Sequence, residues 1–161
     1  MDEVTLFSRC EADTRTIALT MSQLLVPGDV IALIGPLGTG KTVFVRGMTD
    51  ALKVPASDGV CSPSYALLNL YESGAIPVAH LDLYRLADAD ELEGIGFRDL
   101  LDGDYLVLVE WADRVAEAVQ AASIVLTLVD EGPESRRVII RALEPAFLEA
   151  LQQRLPQLAA R

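Results

Sequence analysis

Residues 30–42 read Val-Ile-Ala-Leu-Ile-Gly-Pro-Leu-Gly-Thr-Gly-Lys-Thr. The first five form a continuous apolar run of strand length, which suits a strand buried on both faces. The next eight, Gly35, Pro36, Leu37, Gly38, Thr39, Gly40, Lys41 and Thr42, match G-x-x-x-x-G-K-[ST] in full. Residues 42–52 then place Phe44, Val45, Met48 and Leu52 on or near one face of a helix. A glycine-rich turn can match such a motif by chance, so the context decides: here a buried strand enters it and an amphipathic helix leaves it. Glycines let the backbone curl until successive N–H groups point at phosphate oxygens. The helix that follows aims its positive dipole end at the same anion. Lys41 is then placed to reach the β- and γ-phosphates of a nucleoside triphosphate, and the Thr42 hydroxyl to ligate Mg²⁺.

Working outward, residues 4–7 suit a short strand, and residues 13–25 a helix capped by Asp13 with Ile17, Met21, Leu24 and Leu25 at helical spacing. Residues 27–29 form a turn and residues 54–63 an irregular loop. Strands are expected at 65–71, 78–83 and 105–110, with short helices starting at 89–92 and 97–101. Residues 123–129 and 137–142 flank Glu131-Gly132-Pro133-Glu134, which predicts an antiparallel hairpin. Residues 144–158 complete the chain with a helix. The sum is a single α/β domain over 1–161. It has the P-loop NTPase architecture: a three-layer sandwich with a mixed, mostly parallel central sheet and a C-terminal antiparallel hairpin.

A phosphate loop needs an acid at the end of a neighbouring strand to hold or position the magnesium shell. Two strands offer one: Glu110 ends Leu106-Val107-Leu108-Val109, and Asp82 ends Val78-Ala79-His80-Leu81. Spacing does not decide which touches metal and which orients water. Ser62-Pro63-Ser64 reads equally as a plain turn or as a switch segment offering hydroxyls to the cation or the γ-phosphate. Trp111, directly after Glu110, suits stacking at the site or packing, and a lone tryptophan more often packs.

Composition narrows the classes. The net charge is -11, and Arg136-Arg137 is the only adjacent basic pair, so direct tight binding of DNA or RNA is not expected. The longest apolar runs are far shorter than the ~20 residues a membrane helix needs. The acidic start, Met1-Asp2-Glu3, does not lead into a signal-like apolar stretch. A soluble cytoplasmic protein is the expectation. Cys10 and Cys61 have no metal-ligand spacing and read as two reduced thiols, and a single histidine, His80, excludes a histidine-based metal site.

Four stretches together resemble the bacterial TsaE (YjeE) family, the ATPase subunit of tRNA threonylcarbamoyladenosine synthesis. They are GPLGTGKT at 35–42 with RG at 46–47, SPSYALLNLY at 62–71, HLDLYRLAD at 80–88 running on to ELEGIGFRDLL at 91–101, and VEWADR at 109–114. HLDLYRL and VEW are far more specific than the phosphate loop. The N-terminal helix and the C-terminal hairpin match loosely. The resemblance implies a P-loop ATPase, using ATP and Mg²⁺, that binds and resets the TsaB–TsaD transferase complex and meets tRNA only indirectly. It implies that residues 35–42 hold nucleotide, that Lys41, Asp82 and Glu110 serve catalysis, and that Thr42, Asp82 and Glu110 serve the metal. Ser62 and Ser64 carry over as the switch and Trp111 as the residue beside the site, while Thr14 and Arg137 carry over as further nucleotide contacts. Two departures stand out: Ser64 where threonine is frequent, which keeps the hydroxyl, and Pro36, which removes one N–H from the cradle. A small-molecule P-loop kinase is the alternative; the region directly after Glu110 offers one arginine, Arg114, and no basic lid, which counts against it.

Overall fold

The apolar runs read above become the middle of one sheet. In the computed structural model, which describes residues 1–159, seven strands lie in the order β1-β7-β6-β2-β5-β4-β3. They are β1 (Asp2–Ser8), β2 (Val30–Ile34), β3 (Leu68–Tyr71), β4 (Val78–Asp82), β5 (Leu106–Glu110), β6 (Ile124–Asp130) and β7 (Arg136–Ala142). β2 runs parallel to both β5 and β6, and β4 runs parallel to β5. The flanks are antiparallel: β7 pairs with β6 and β1, and β3 pairs with β4. Strands β4 and β5 are buried along their whole length, and β2 nearly so, because helices cover both sides.

Alternation along each strand sorts the core into two layers. Ile31, Leu33, Leu106, Leu108 and Val78 face α1 (Glu11–Ser22), α2 (Lys41–Ala51) and α5 (Pro145–Arg154). Val30, Ala32, Ala79, Leu81, Val107 and Val109 face the other way, toward α3 (Ala89–Gly94), α4 (Ala116–Gln120) and 3₁₀ turns at Phe97–Leu101 and Ala112–Arg114. The expected three-layer sandwich is present, with its parallel pairing confined to the four central strands. In α2, Phe44, Val45 and Met48 are fully buried, and truncating such a phenylalanine to alanine costs about 3–5 kcal/mol.

Several boundaries differ from the expectation, and three of them have a clear physical cause. α1 begins at Glu11 behind Cys10, not behind Asp13, because the Asp13 carboxylate accepts the Arg9 N–H at 2.9 Å from inside the first turn. Residues 65–67 are not strand: the Leu67 N–H reaches back to the Pro63 carbonyl at 2.6 Å and Leu67 takes φ 68, which delays β3 to Leu68. The C-terminal helix stops at Arg154, because Pro156 has no N–H to continue the ladder and instead opens a 3₁₀ turn, Pro156–Leu158.

Candidate phosphate-binding site

The loop between β2 and α2 is shaped by what its glycines exclude. Gly35 has φ 147, and a Cβ there would stand 2.5 Å from the Leu128 carbonyl oxygen and 2.9 Å from Thr39 Oγ1. Gly40, at φ 103, turns the chain into the first residue of α2. Between them, the Thr39 hydroxyl donates to the Pro36 carbonyl at 2.8 Å and closes the loop on itself. Leu37 projects outward, 79 % exposed, at the tip.

Lys41 folds back into this curl. Its Nζ donates to the carbonyl of Gly35 and to that of Pro36 (2.9 Å), and lies 3.7 Å from the centre of the Trp111 ring. Only 4 % of the residue is exposed, and burial pulls its pKa below 10.5 against the opposing charges of Glu110, Asp113 and Asp82.

The acids arrive by register. Asp82 pairs directly with Glu110 across β4 and β5, so both carboxylates leave the parallel strands at their C-terminal ends, on the α2 side. This is the edge where open α/β sheets bind ligands. Glu110, 2 % exposed, accepts the Thr42 hydroxyl at 2.9 Å on Oε2 (3.3 Å on Oε1), while its Oε1 lies 2.8 Å from His80 Nε2. Asp82, 3 % exposed, accepts from the Ser62 hydroxyl, from the Ser64 hydroxyl at 3.3 Å and from the Tyr84 N–H at 2.9 Å. The two serine hydroxyls are 3.1 Å apart. Each acid therefore has its own hydroxyl partners: Glu110 takes the loop threonine, Asp82 the Ser62–Ser64 segment.

Trp111 closes this side. It takes φ 57, a left-handed conformation that costs a non-glycine residue about 1–2 kcal/mol, and its ring packs 4.9 Å from that of Tyr84. The strain turns the chain abruptly after Glu110 and brings the indole over Lys41. Residues of the loop, both acids, the serines, Tyr65, Tyr84, Arg85 and Trp111 line an open cleft of about 520 Å³.

A second cleft of about 470 Å³ lies on the other side of the loop, bounded by Cys10, Glu11, Thr14, Gly38, Thr39, Gly40, Val43, Pro133, Glu134 and Arg136. Thr14 is in its wall, with its hydroxyl 2.8 Å from that of Ser8. Arg137 is not. It lies on the opposite face of β7 from Arg136 and Val138 and pairs with Glu131 at 3.0 Å. Arg136 lines the cleft instead: it donates to the carbonyls of Thr39 (3.1 Å) and Gly38 (3.2 Å), to Gly132 and Ser135, and pairs with Asp130 at 3.0 Å. Hairpin register alone decides which arginine of the adjacent pair faces this cleft, and His80 carries no signal in the sequence beyond being the sole histidine.

The donor set suits a hard divalent cation. Hydroxyl and carboxylate oxygens converge beside Lys41 and Thr42, while no group of three or more His, Cys, Asp or Glu side chains forms a cage among the described residues. That matches Mg²⁺, which is usually bound through one or two carboxylates plus substrate phosphates. Cys10 and Cys61 are free and exposed, and no described helix is long and apolar enough to cross a membrane.

With this geometry in place, comparison with known proteins gives consistent matches. A family model described as "Threonylcarbamoyl adenosine biosynthesis protein TsaE" matches residues 8–139. A tRNA threonylcarbamoyladenosine biosynthesis protein TsaE from Bacillus subtilis is 31 % identical over 131 residues, 81 % of this chain and 80 % of that protein. The protein of the same description from Aquifex aeolicus is 41 % identical over 104 residues, 65 % of this chain and 73 % of that protein. The crystal structure of Bacillus subtilis YdiB superposes with a TM-score of 0.73 at 22 % identity, covering 97 % of this chain and 96 % of that one, and so shares the fold. The phosphate loop, the paired acids and the strained tryptophan described above all lie inside the matched span, and the chain belongs to the TsaE family.

Proposed function

We propose that this chain is a cytoplasmic, single-domain P-loop ATPase that serves the formation of N6-threonylcarbamoyladenosine in tRNA. In this reading it binds the TsaB–TsaD transferase complex and resets it through ATP binding and hydrolysis. The observation that carries the reading is the convergence of Lys41, Thr42, Glu110 and Asp82 at one end of the parallel strands, within a chain of the TsaE family.

The residues divide the work by position. The curled amides of residues 35–42 and the Lys41 ammonium receive the β- and γ-phosphates. Thr42 and Glu110 would hold Mg²⁺, with Asp82 on the edge of its shell, and the ion would neutralise charge on the phosphate oxygens. The Thr42 hydroxyl keeps its proton on Glu110 while its lone pairs remain free for the cation. Asp82, beside Glu110 in the strand register and tethered to Ser62 and Ser64, suits the task of orienting a water. Because those serines belong to the loop before β3, filling the cleft with a triphosphate changes their partners and reshapes an exposed segment that includes Tyr65 (85 % exposed). That is a route from nucleotide state to partner surface. The second cleft, bounded by Thr14 and Arg136, accommodates the nucleoside. The acidic balance of the chain fits an ATPase that leaves tRNA binding to its partners.

The test is a pull-down of TsaB and TsaD by this chain with and without ATP, joined to an ATP turnover assay. Retention that depends on ATP, with turnover that rises when both partners are added, is expected. Nucleotide-independent retention, or phosphoryl transfer to a small metabolite in place of hydrolysis, would favour the kinase alternative or a plain binding module.

A further inference from the structure

His80 is the sole histidine of the chain and is completely buried, yet it stands among apolar residues whose packing a leucine would serve as well. On β4 it shares a face with Val78 and Asp82, the face that α2 covers, and its register partner on β5 is Leu108. That places it one step behind Asp82 and diagonal to Glu110. Its Nε2 lies 2.8 Å from Glu110 Oε1, and its Nδ1 is buried with no hydrogen-bond partner among the described residues. An ionised carboxylate only accepts, so the geometry assigns the proton to Nε2. A buried imidazole with one nitrogen unpaired is a poor choice for packing. It is a good choice for aiming a neighbour.

We infer that His80 is the positioning residue for Glu110. It holds Oε1 so that Oε2 faces the Thr42 hydroxyl and the cation. Without it the carboxylate has Thr42 as its one remaining side-chain partner and is free to rotate about its last bond. Histidines and other partners that orient metal-site ligands from behind commonly change metal affinity by 10- to 100-fold when lost. The inference rests on the proposed reading, in that the cation and triphosphate must bind at Thr42.

Side-chain reach gives a discriminating test. Glutamine puts its amide nitrogen where His80 carries Nε2, whereas asparagine reaches only as far as Nδ1. ATP is titrated calorimetrically into the parent and into His80→Gln, His80→Asn and His80→Leu, each with Mg²⁺ and with Mg²⁺ removed by chelation. The gain in ATP affinity that Mg²⁺ confers should fall at least tenfold in His80→Asn and His80→Leu and return to within about threefold of the parent in His80→Gln. Affinity without Mg²⁺ should stay unchanged in all three. Thermal unfolding of His80→Leu at or above the parent's temperature shows that the loss is not one of folding, and His80→Gln keeps the test decisive if His80→Leu folds poorly. A full magnesium gain in His80→Leu, or His80→Gln behaving like His80→Asn, overturns the inference. So does a parent that binds ATP equally in both buffers. A parent that takes up no ATP at all sinks the proposed function as well, whereas a normal parent with indifferent variants sinks the role of His80 alone.

Discussion

Replacing Lys41 by methionine keeps the length and bulk of the side chain and removes its charge. In the structure the ammonium already sits inside the curl of the loop, donating to the Gly35 and Pro36 carbonyls and resting on Trp111. Glu110, Asp113 and Asp82 are the negative groups that act on it. Lys41→Met leaves those three carboxylates facing a triphosphate without their counter-charge. A hydrogen bond to a charged group is worth about 1.5–3 kcal/mol, so ATP affinity should fall roughly 10- to 150-fold. Turnover should fall further, because developing charge in the transition state loses the same donor. The pH dependence of folding provides a second reading. Burial lowers the pKa of Lys41 below 10.5, so between the lowered value and 10.5 the unfolded chain holds a proton that the folded chain has released. Stability must then rise with pH across that window, and the penalty for the buried charge is fully present below it. Lys41→Met should lack this component of the rise in a series of urea midpoints. An ATP affinity within threefold of the parent by calorimetry, at matched salt, would refute the assignment of Lys41. Parallel pH–stability curves for the two proteins would refute the account of its burial.

Gly35→Ala brings a Cβ to 2.5 Å from the Leu128 carbonyl at φ 147, so a loss of about 2–4 kcal/mol in chemical unfolding is expected, together with weakened ATP binding; an unchanged midpoint would contradict the crowding. Arg136→Ala releases the Gly38 and Thr39 carbonyls and should weaken ATP several-fold, while Arg137→Ala, which breaks a half-exposed pair with Glu131, should change stability by about 0.5 kcal/mol and ATP affinity hardly at all. The reverse order in a calorimetric comparison would restore Arg137 to the site. Asp82→Asn should keep ATP binding and lower turnover by about 10²-fold or more, as expected when a group that orients the attacking water is lost. Retained turnover with lost binding would exchange its role with that of Glu110.

The elements that frame the proposed site were the ones most legible in the sequence, for physical reasons. β2 and β5 are covered on both faces, so each is an unbroken apolar run with a functional residue at its end, and the bounds of β2 come out as read. Boundaries set by side-chain competition were not legible. Asp13 looks like a cap but spends its carboxylate on Arg9, and residues 65–67 have strand-like composition but are held in a turn by Pro63. Contacts between distant segments were the least legible. The division of labour between Glu110 and Asp82 depends on which hydroxyls α2 and the loop before β3 present, and the choice between Arg136 and Arg137 on one residue of hairpin register. His80 is written plainly in the chain, but only the pairing of β4 with β5 brings it behind Glu110.

The indole of Trp111 has a use beyond closing the cleft. It is the sole tryptophan, and the charge most able to perturb its excited state lies 3.7 Å from its ring. Any ligand that draws the lysine toward itself lifts that charge off the ring, so the intrinsic emission of the unlabelled protein should report occupancy in real time. Stopped-flow mixing can then time the arrival and departure of nucleotide, and, with the proposed partners added, test whether they change either rate.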